Sequence, residues 1–149
     1  MLEKRPPSNP YVRIGRIDKH NPVSFQQVVN LYKNTGWLES HDRQSDTWVP
    51  ILIAGSLCCF GAFHDKKLVG FGRAISDTVS DAYIQDVMVS DSYRGQGLGR
   101  RIVNAILEEL RSRHINWIGL ISTPGTAEFY RRLGFTSLRG HVPMRFSGK

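Results

Sequence analysis

The chain has 149 residues, 40% of them hydrophobic and 22% charged, which describes a single globular domain able to bury a sizeable core and excludes a disordered, fibrous or multidomain protein. Twenty Lys and Arg against thirteen Asp and Glu leave a formal charge of +7, which favours an anionic partner: a nucleotide cofactor, a nucleic acid or an acidic protein. The two cysteines, Cys58 and Cys59, are adjacent, so neither a metal-binding CxxC pair nor a disulfide framework can be built from them. They read as reduced core thiols of a cytoplasmic protein. The uncharged run over residues 47–64 is broken by Pro50, Gly55 and Gly61, and residues 1–10 lack an apolar signal core, so no membrane anchor or secretion signal is expected.

In chain order, residues 11–17 predict a first strand, with Val12 and Ile14 on one face. A helix follows from Asn21 and Pro22, or from a capping box of Ser24 and Gln27, with Phe25, Val28, Val29 and Tyr32 on one side and Gly36 as its stop. A second, buried helix is expected over residues 46–54, since Pro50 lies near the tolerant opening turn. Residues 57–64, 67–76 and 82–89 predict three successive strands in a meander. A glycine-rich turn over residues 94–99 then leads into an amphipathic helix ending near Arg113, with Leu98, Ile102, Ala105, Ile106 and Leu110 on its apolar face. An apolar strand over residues 117–122, a short helix over 126–133 and one or two strands over 135–146 complete the order. The predicted fold class is α/β, a twisted mixed sheet with helices on both faces, in one domain behind a lead of residues 1–10.

The sharpest feature is the passage from Val87, Met88 and Val89 through a short polar loop into Arg94-Gly95-Gln96-Gly97-Leu98-Gly99-Arg100. Glycines at 95, 97 and 99 let the backbone turn tightly and approach a ligand, and the first N–H groups of the following helix point at whatever sits there. Arg94, Arg100 and Arg101 crowd the positive end of that helix, where cations are disfavoured by about 0.3–1 kcal/mol each unless an anion is bound. A glycine turn with solvated arginines is the plain alternative. A Rossmann site would need an acidic residue near 113–115, where Arg113, His114 and Ile115 stand, and a Walker A loop would need Gly-Lys-Ser/Thr, which is absent.

Here the sequence resembles the GNAT superfamily of N-acetyltransferases, whose acetyl-CoA signature, Arg/Gln-x-x-Gly-x-Gly/Ala, stands as residues 94–99. A second segment, residues 126–135, looks like the family's x-x-F-Y-x-x-x-G-F stretch, with Phe129, Tyr130, Gly134 and Phe135 in place. Residues 31–37, 67–74 and 76–77 are more narrowly similar to the branch that includes plant and cyanobacterial arylalkylamine (serotonin-type) acetyltransferases. The family often places an Asn after the strand preceding the Tyr helix; here Ser122 or Thr123 fills that stretch. The resemblance implies a GNAT-like acyl-CoA N-acyltransferase fold, acetyl-CoA as donor substrate and no metal. It also implies that the backbone of Val87, Met88 and Val89 binds the pantetheine arm, that the amides of residues 94–100, including Leu98, hold the pyrophosphate, and that Tyr130 faces the thioester sulfur. A homodimer is compatible with it, and a nucleic-acid partner is not expected, because the basic residues near 94–101 are accounted for by cofactor phosphates.

Acetyl transfer needs a neutral amine, and an alkylamine of pKa about 10.4 is neutral in about one molecule in a few thousand at pH 7. Asp86, just before Val87, is the candidate base, acting through a water with its pKa raised in a desolvated pocket; the alternative is a carboxylate accepting backbone N–H groups at a strand distortion. Tyr130 is the candidate acid for the leaving thiolate, against the alternative of an aromatic packed beside Phe129 and Phe135. The five histidines are expected at the surface. Trp37, Trp48 and Tyr83 are candidates for an aromatic wall around an arylalkylamine, while Glu39 and Asp42 would suit a polyamine or lysine. The reading is an N-acetyltransferase acting on a small primary amine. Its rivals are acetylation of protein lysine or aminoacyl-tRNA, and a noncatalytic CoA-binding or RNA-associated basic module.

Overall fold

Five strands form one mixed sheet in the sequential order β1 (Val12–Arg16), β2 (Cys58–His64), β3 (Lys67–Ser76), β4 (Asp81–Val89), β5 (Trp117–Gly119). The structure, a computed structural model, describes residues 9–18, 22–38 and 46–148. Two compact units divide the chain, Met1–Gly119 with the whole sheet and Leu120–Lys149.

In the first unit, β1 to β4 are antiparallel neighbours, whereas β5 runs parallel to β4. A parallel return needs a crossover. The long helix α3 (Leu98–Ser112) supplies it, and helices α1 (Phe25–Asn34) and α2 (Val49–Ala54) fill the connection from β1 to β2. The two faces of β3 show which helix lies where. Phe71 packs into the core with Val28, Val29, Leu31 and Tyr32 of α1, while a Cβ placed on its neighbour Gly72 would run into Ile102 and Ile106 of α3. Helices therefore cover both faces of the sheet, as the sequence predicts.

Helix α1 starts at the later of the two expected positions, with Ser24 as N-cap but with no side-chain capping bond. The Gln27 amide is engaged elsewhere: it accepts from the Leu68 N–H (2.7 Å) and donates to the Lys66 carbonyl (3.4 Å), tying the helix to the β2–β3 turn. Helix α2 is not the buried helix expected. Only Val49 is fully buried; Leu52 and Ile53 pack against the core while partly exposed, and Ile51 is 75% exposed. The buried face of α3 differs from the expected five: Val103 and Leu107 join Leu98, Ile102, Ile106 and Leu110, whereas Ala105 is only partly buried. Cys58 and Cys59 are buried free thiols, and burial pushes Cys58 up to about 12, which keeps it protonated and inert.

Strand β5 ends at Gly119 and does not reach residue 122. The strands expected over residues 135–146 do not form among the described residues. Gly140 turns the chain at φ +76°, Pro143 has no N–H to give a ladder, and Val142, Met144 and Phe146 are each at least 75% exposed. In the second unit, α4 (Ala127–Arg131) is the only helix among the described residues.

Candidate active site

The glycine turn folds as its composition demands. Gly95 and Gly97 both sit at φ +74°, a left-handed conformation in which a side chain is strained, and Gly97 is the N-cap of α3. No side chain caps the helix and its first turn holds no acidic residue. The first intrahelical bond runs from the Arg101 N–H to the Gly97 carbonyl (3.1 Å), so the N–H groups of Leu98, Gly99 and Arg100 have no acceptor within the helix. A Cβ on Gly95 would meet nothing within 4 Å, which leaves open space beside the turn. Arg94 bonds the Val89 carbonyl through Nε (3.2 Å) and pairs with Asp91 (3.0 Å), and Gln96 accepts from the Asn9 amide (3.0 Å). These side chains brace the loop; the Arg94 N–H, expected to bind a ligand, is instead spent on the Asp91 carbonyl (3.2 Å), which leaves the amides after it. An anion such as a diphosphate suits this cradle.

The strand leading into the turn is bulged. Arg73 pairs with Gln85 and Phe71 with Met88, so Asp86 and Val87 together face the single residue Gly72. Asp86 is in the left-handed region at φ +56°. On its other side, the ladder between β4 and β5 ends at Tyr83 and Gly119. Among the described residues, Met88 and Val89 thus pair with β3 alone and Val87 sits in the bulge without a ladder partner, which leaves one edge of that stretch open to a bound extended chain.

The Asp86 side chain is 20% exposed and stands at the strand distortion that the sequence allowed, and its bonds among the described residues come from side chains rather than from backbone N–H groups. Its Oδ2 accepts two side-chain hydrogen bonds, from the Tyr32 hydroxyl (2.6 Å) and from Arg73 Nε (2.6 Å). Arg73 reaches on to Ser56 Oγ (3.3 Å), which itself donates to the Leu52 carbonyl of α2 (2.7 Å). Burial, and then the Asp86 charge, push the Tyr32 phenol well above its ordinary value, so it stays a donor. Tyr32 and Arg73 are the site residues the sequence reading missed. Tyr32 looks like core at its helical spacing, and the usable signal was Arg73, a lone charge in an apolar strand that needs a counter-ion.

The aromatic candidates fall into two groups. Trp37 and Trp48 meet Tyr32 edge-on at 6.4 and 5.0 Å, whereas Tyr83 pairs with Trp117 at 5.1 Å. Trp37 and Tyr83 are each 43% exposed. Glu39 and Asp42 lie outside the described residues. His64 is half-buried rather than a surface residue, with Nδ1 2.7 Å from the Tyr93 hydroxyl.

In the second unit the Phe-Tyr…Gly-Phe segment has a local physical cause. The Phe135 N–H bonds back to the Tyr130 carbonyl and the Gly134 N–H to that of Arg131, with Gly134 at φ +94°, a Schellman ending of α4. The Tyr130 ring packs edge-on against Phe129 (4.9 Å) and Phe135 (5.8 Å), and burial raises its phenol above the ordinary value. Thr123 is engaged in a local turn, its carbonyl accepting from both the N–H and the hydroxyl of Thr126. Among the described residues there is no cluster of three metal-ligating side chains, and no helix is long and apolar enough to cross a membrane.

The chain is 36% identical over 123 residues to an uncharacterized N-acetyltransferase, ycf52, of Gracilaria tenuistipitata var. liui, covering 76% of this chain and 65% of that one. It is 43% identical over 72 residues to the histone acetyltransferase TAP1 of Glycine max, covering 48% and 31%. It thus spans less than two thirds of either relative. In structure it is similar to a GNAT-family protein from Xanthomonas campestris pv. campestris (TM-score 0.72, 26% identity, 92% and 94% covered). It is also similar in fold to an aminoglycoside acetyltransferase, meta-AAC0020, from an uncultured soil sample (TM-score 0.76, 18% identity, 95% and 99% covered). The acetyltransferase (GNAT) family model matches residues 23–135, from the start of α1 through the Schellman turn after α4, and the chain belongs to that family.

Proposed function

We propose that the protein is an acetyl-CoA-dependent N-acetyltransferase acting on a small primary amine, an arylalkylamine or a polyamine, by direct attack in a ternary complex. The observation that carries this reading is the uncapped N-terminus of α3, entered through two left-handed glycines at the end of a bulged strand. The amides of Gly95, Gln96, Gly97, Leu98, Gly99 and Arg100 hold the diphosphate, without that of Arg94, which already donates to the Asp91 carbonyl. Val87, Met88 and Val89 line the pantetheine arm with their free peptide edge. The amine nitrogen attacks the thioester carbonyl, a C–N bond forms, the C–S bond breaks, and the thiolate takes the phenol proton of Tyr130. An ordinary phenol of about 10 and a thiol of about 8.5 are close in pKa, and burial of Tyr130 widens that gap while keeping the phenol protonated and able to donate. Asp86, the base that the sequence suggests, has one oxygen, Oδ2, accepting from Arg73 and Tyr32, and in this reading the pair holds the strand while the amine's proton goes elsewhere. The acceptor enters as its neutral fraction and its proton leaves to water.

Trp37 and Tyr83, half-exposed in separate aromatic groups, are the proposed acceptor-binding residues. A second reading, acetylation of protein lysine, is favoured by the soybean relative's name. The chloroplastic label of the Arabidopsis thaliana relatives adds the plastid to the cytoplasm as a reducing compartment suited to two free thiols. A thiol-release assay with acetyl-CoA across arylalkylamines, polyamines, aminosugars and lysine peptides tests the reading. Turnover with a small amine supports it, turnover with peptides alone moves the acceptor to protein lysine, and silence across the panel favours a noncatalytic CoA-binding module.

A further inference from the structure

The bulge in β4 is held from both sides of the sheet. On the α3 side, Gly72 opposite the bulge lies so near Ile102 that a Cβ there would come to 2.7 Å of its Cγ2. On the other side, Tyr32 from α1 and Arg73 from β3 converge on one oxygen of Asp86, the bulged residue. Arg73 is also anchored to the end of α2 through Ser56. Side-chain exposures of 16% for Arg73 and 20% for Asp86 place the ion pair mostly out of water, where a single-partner loss leaves an uncompensated charge. The bulge also re-aims the side chains. Gln85 alternates normally, but the left-handed φ of Asp86 turns its carboxylate back to the same face, while Val87 points towards α3 beside Gly72 and Met88 returns to the α1 core. A residue other than glycine keeps this conformation only where its surroundings over-determine it.

We infer that Arg73 and Tyr32 are positioning residues: their two bonds to Asp86 hold the left-handed bulge and so set the path of Val87, Met88 and Val89 into the glycine turn. This rests on the proposed reading that those three residues line the pantetheine arm. The charge pair acts through backbone geometry and touches no reacting atom. Its signature is therefore coenzyme affinity rather than the chemical step. Glycine takes the left-handed conformation without a staple, so a glycine at 86 replaces what Arg73 and Tyr32 provide.

The test compares Arg73→Met, Arg73→Lys, Tyr32→Phe and the double variant Arg73→Met/Asp86→Gly in the full chain. Expected are a rise of about tenfold in KM for acetyl-CoA with Arg73→Met, kcat within about threefold of wild type at saturation, and a smaller rise with Arg73→Lys and Tyr32→Phe. The double variant, which removes both partly buried charges and remains foldable if Arg73→Met alone is not, regains most of the lost affinity. Hydrogen exchange of the amides at residues 87–90 without coenzyme gives an independent readout: faster in Arg73→Met, slower again in the double variant. Unchanged exchange and unchanged KM in Arg73→Met overturn the inference, as does a double variant no better than the single. If wild-type protein takes up no coenzyme, the proposed function fails, and the exchange pattern alone decides whether the staple holds the bulge.

Discussion

Gly72 on β3 and Ile102 on α3 meet at a distance that leaves no room for one methyl group: an added Cβ would stand 2.7 Å from Ile102 Cγ2 and 3.2 Å from Ile106 Cδ1. Both isoleucines are fully buried, so they have nowhere to retreat. Overpacking of this kind costs about 1–3 kcal/mol. Gly72→Ala is expected to lower the unfolding free energy by that amount in a urea titration and to weaken coenzyme binding, because α3 carries the anion cradle. A variant as stable as wild type would show that α3 is not seated this closely.

Glu109 on α3 ties that helix to the sheet edge, receiving Arg16 of β1 at 2.6 Å and Arg113 of its own helix at 2.7 Å. Burial alone would raise its pKa, but Arg16 and then Arg113 outweigh burial and hold it below the usual carboxylate range. A carboxylate depressed in the folded state gives stability that is present above its unfolded pKa, about 4.3, and is lost as the pH falls through the folded value. Glu109→Gln should therefore destabilise by about 1 kcal/mol at neutral pH, and the gap to wild type should close as the medium is acidified below about pH 4. A gap that stays constant with pH would assign the effect to packing.

Tyr130→Phe keeps the ring that packs on Phe135 and removes only the proton donor. It should reduce kcat by about 10²-fold or more with thermal stability and coenzyme affinity preserved. Because burial raises the Tyr130 phenol, the acid form persists through the alkaline range in which ordinary tyrosine begins to ionise at about 10. For an amine of pKa about 10.4, kcat/KM should climb nearly tenfold per pH unit between about pH 6 and 9, following the neutral amine, with no fall from Tyr130 in that window. Unaltered turnover in the phenylalanine variant would remove Tyr130 from the chemistry.

The strands of the meander, the long α3 and the glycine turn were legible in the sequence because each has a local signature: alternation, a 3.6-residue stripe, and glycines where φ must be positive. The Schellman glycine, Gly134, and its partner Phe135 were legible as a family pattern whose cause is a helix ending. The partners of Asp86 were not. Its environment is set by residues 54 and 13 positions away, Tyr32 and Arg73, brought together only by sheet register and a bulge, and no local pattern encodes that meeting. The segment over residues 135–146 failed the other way. Its alternation of Val142, Met144 and Phe146 promises a strand, but alternation describes what a strand would bury and does not supply a partner, and Pro143 and Gly140 interrupt the ladder.

If the free N–H groups at the start of α3 grip the diphosphate of coenzyme A, as proposed, titration calorimetry of the full chain with coenzyme A will register it. Wild type should bind one equivalent, more weakly as salt is raised, and Gly97→Val, which forces a branched side chain into a left-handed φ of +74°, should lose about tenfold or more in affinity. Folded wild-type protein that releases no heat with the coenzyme at any temperature tried, or a Gly97→Val variant that binds as tightly as wild type, would contradict it.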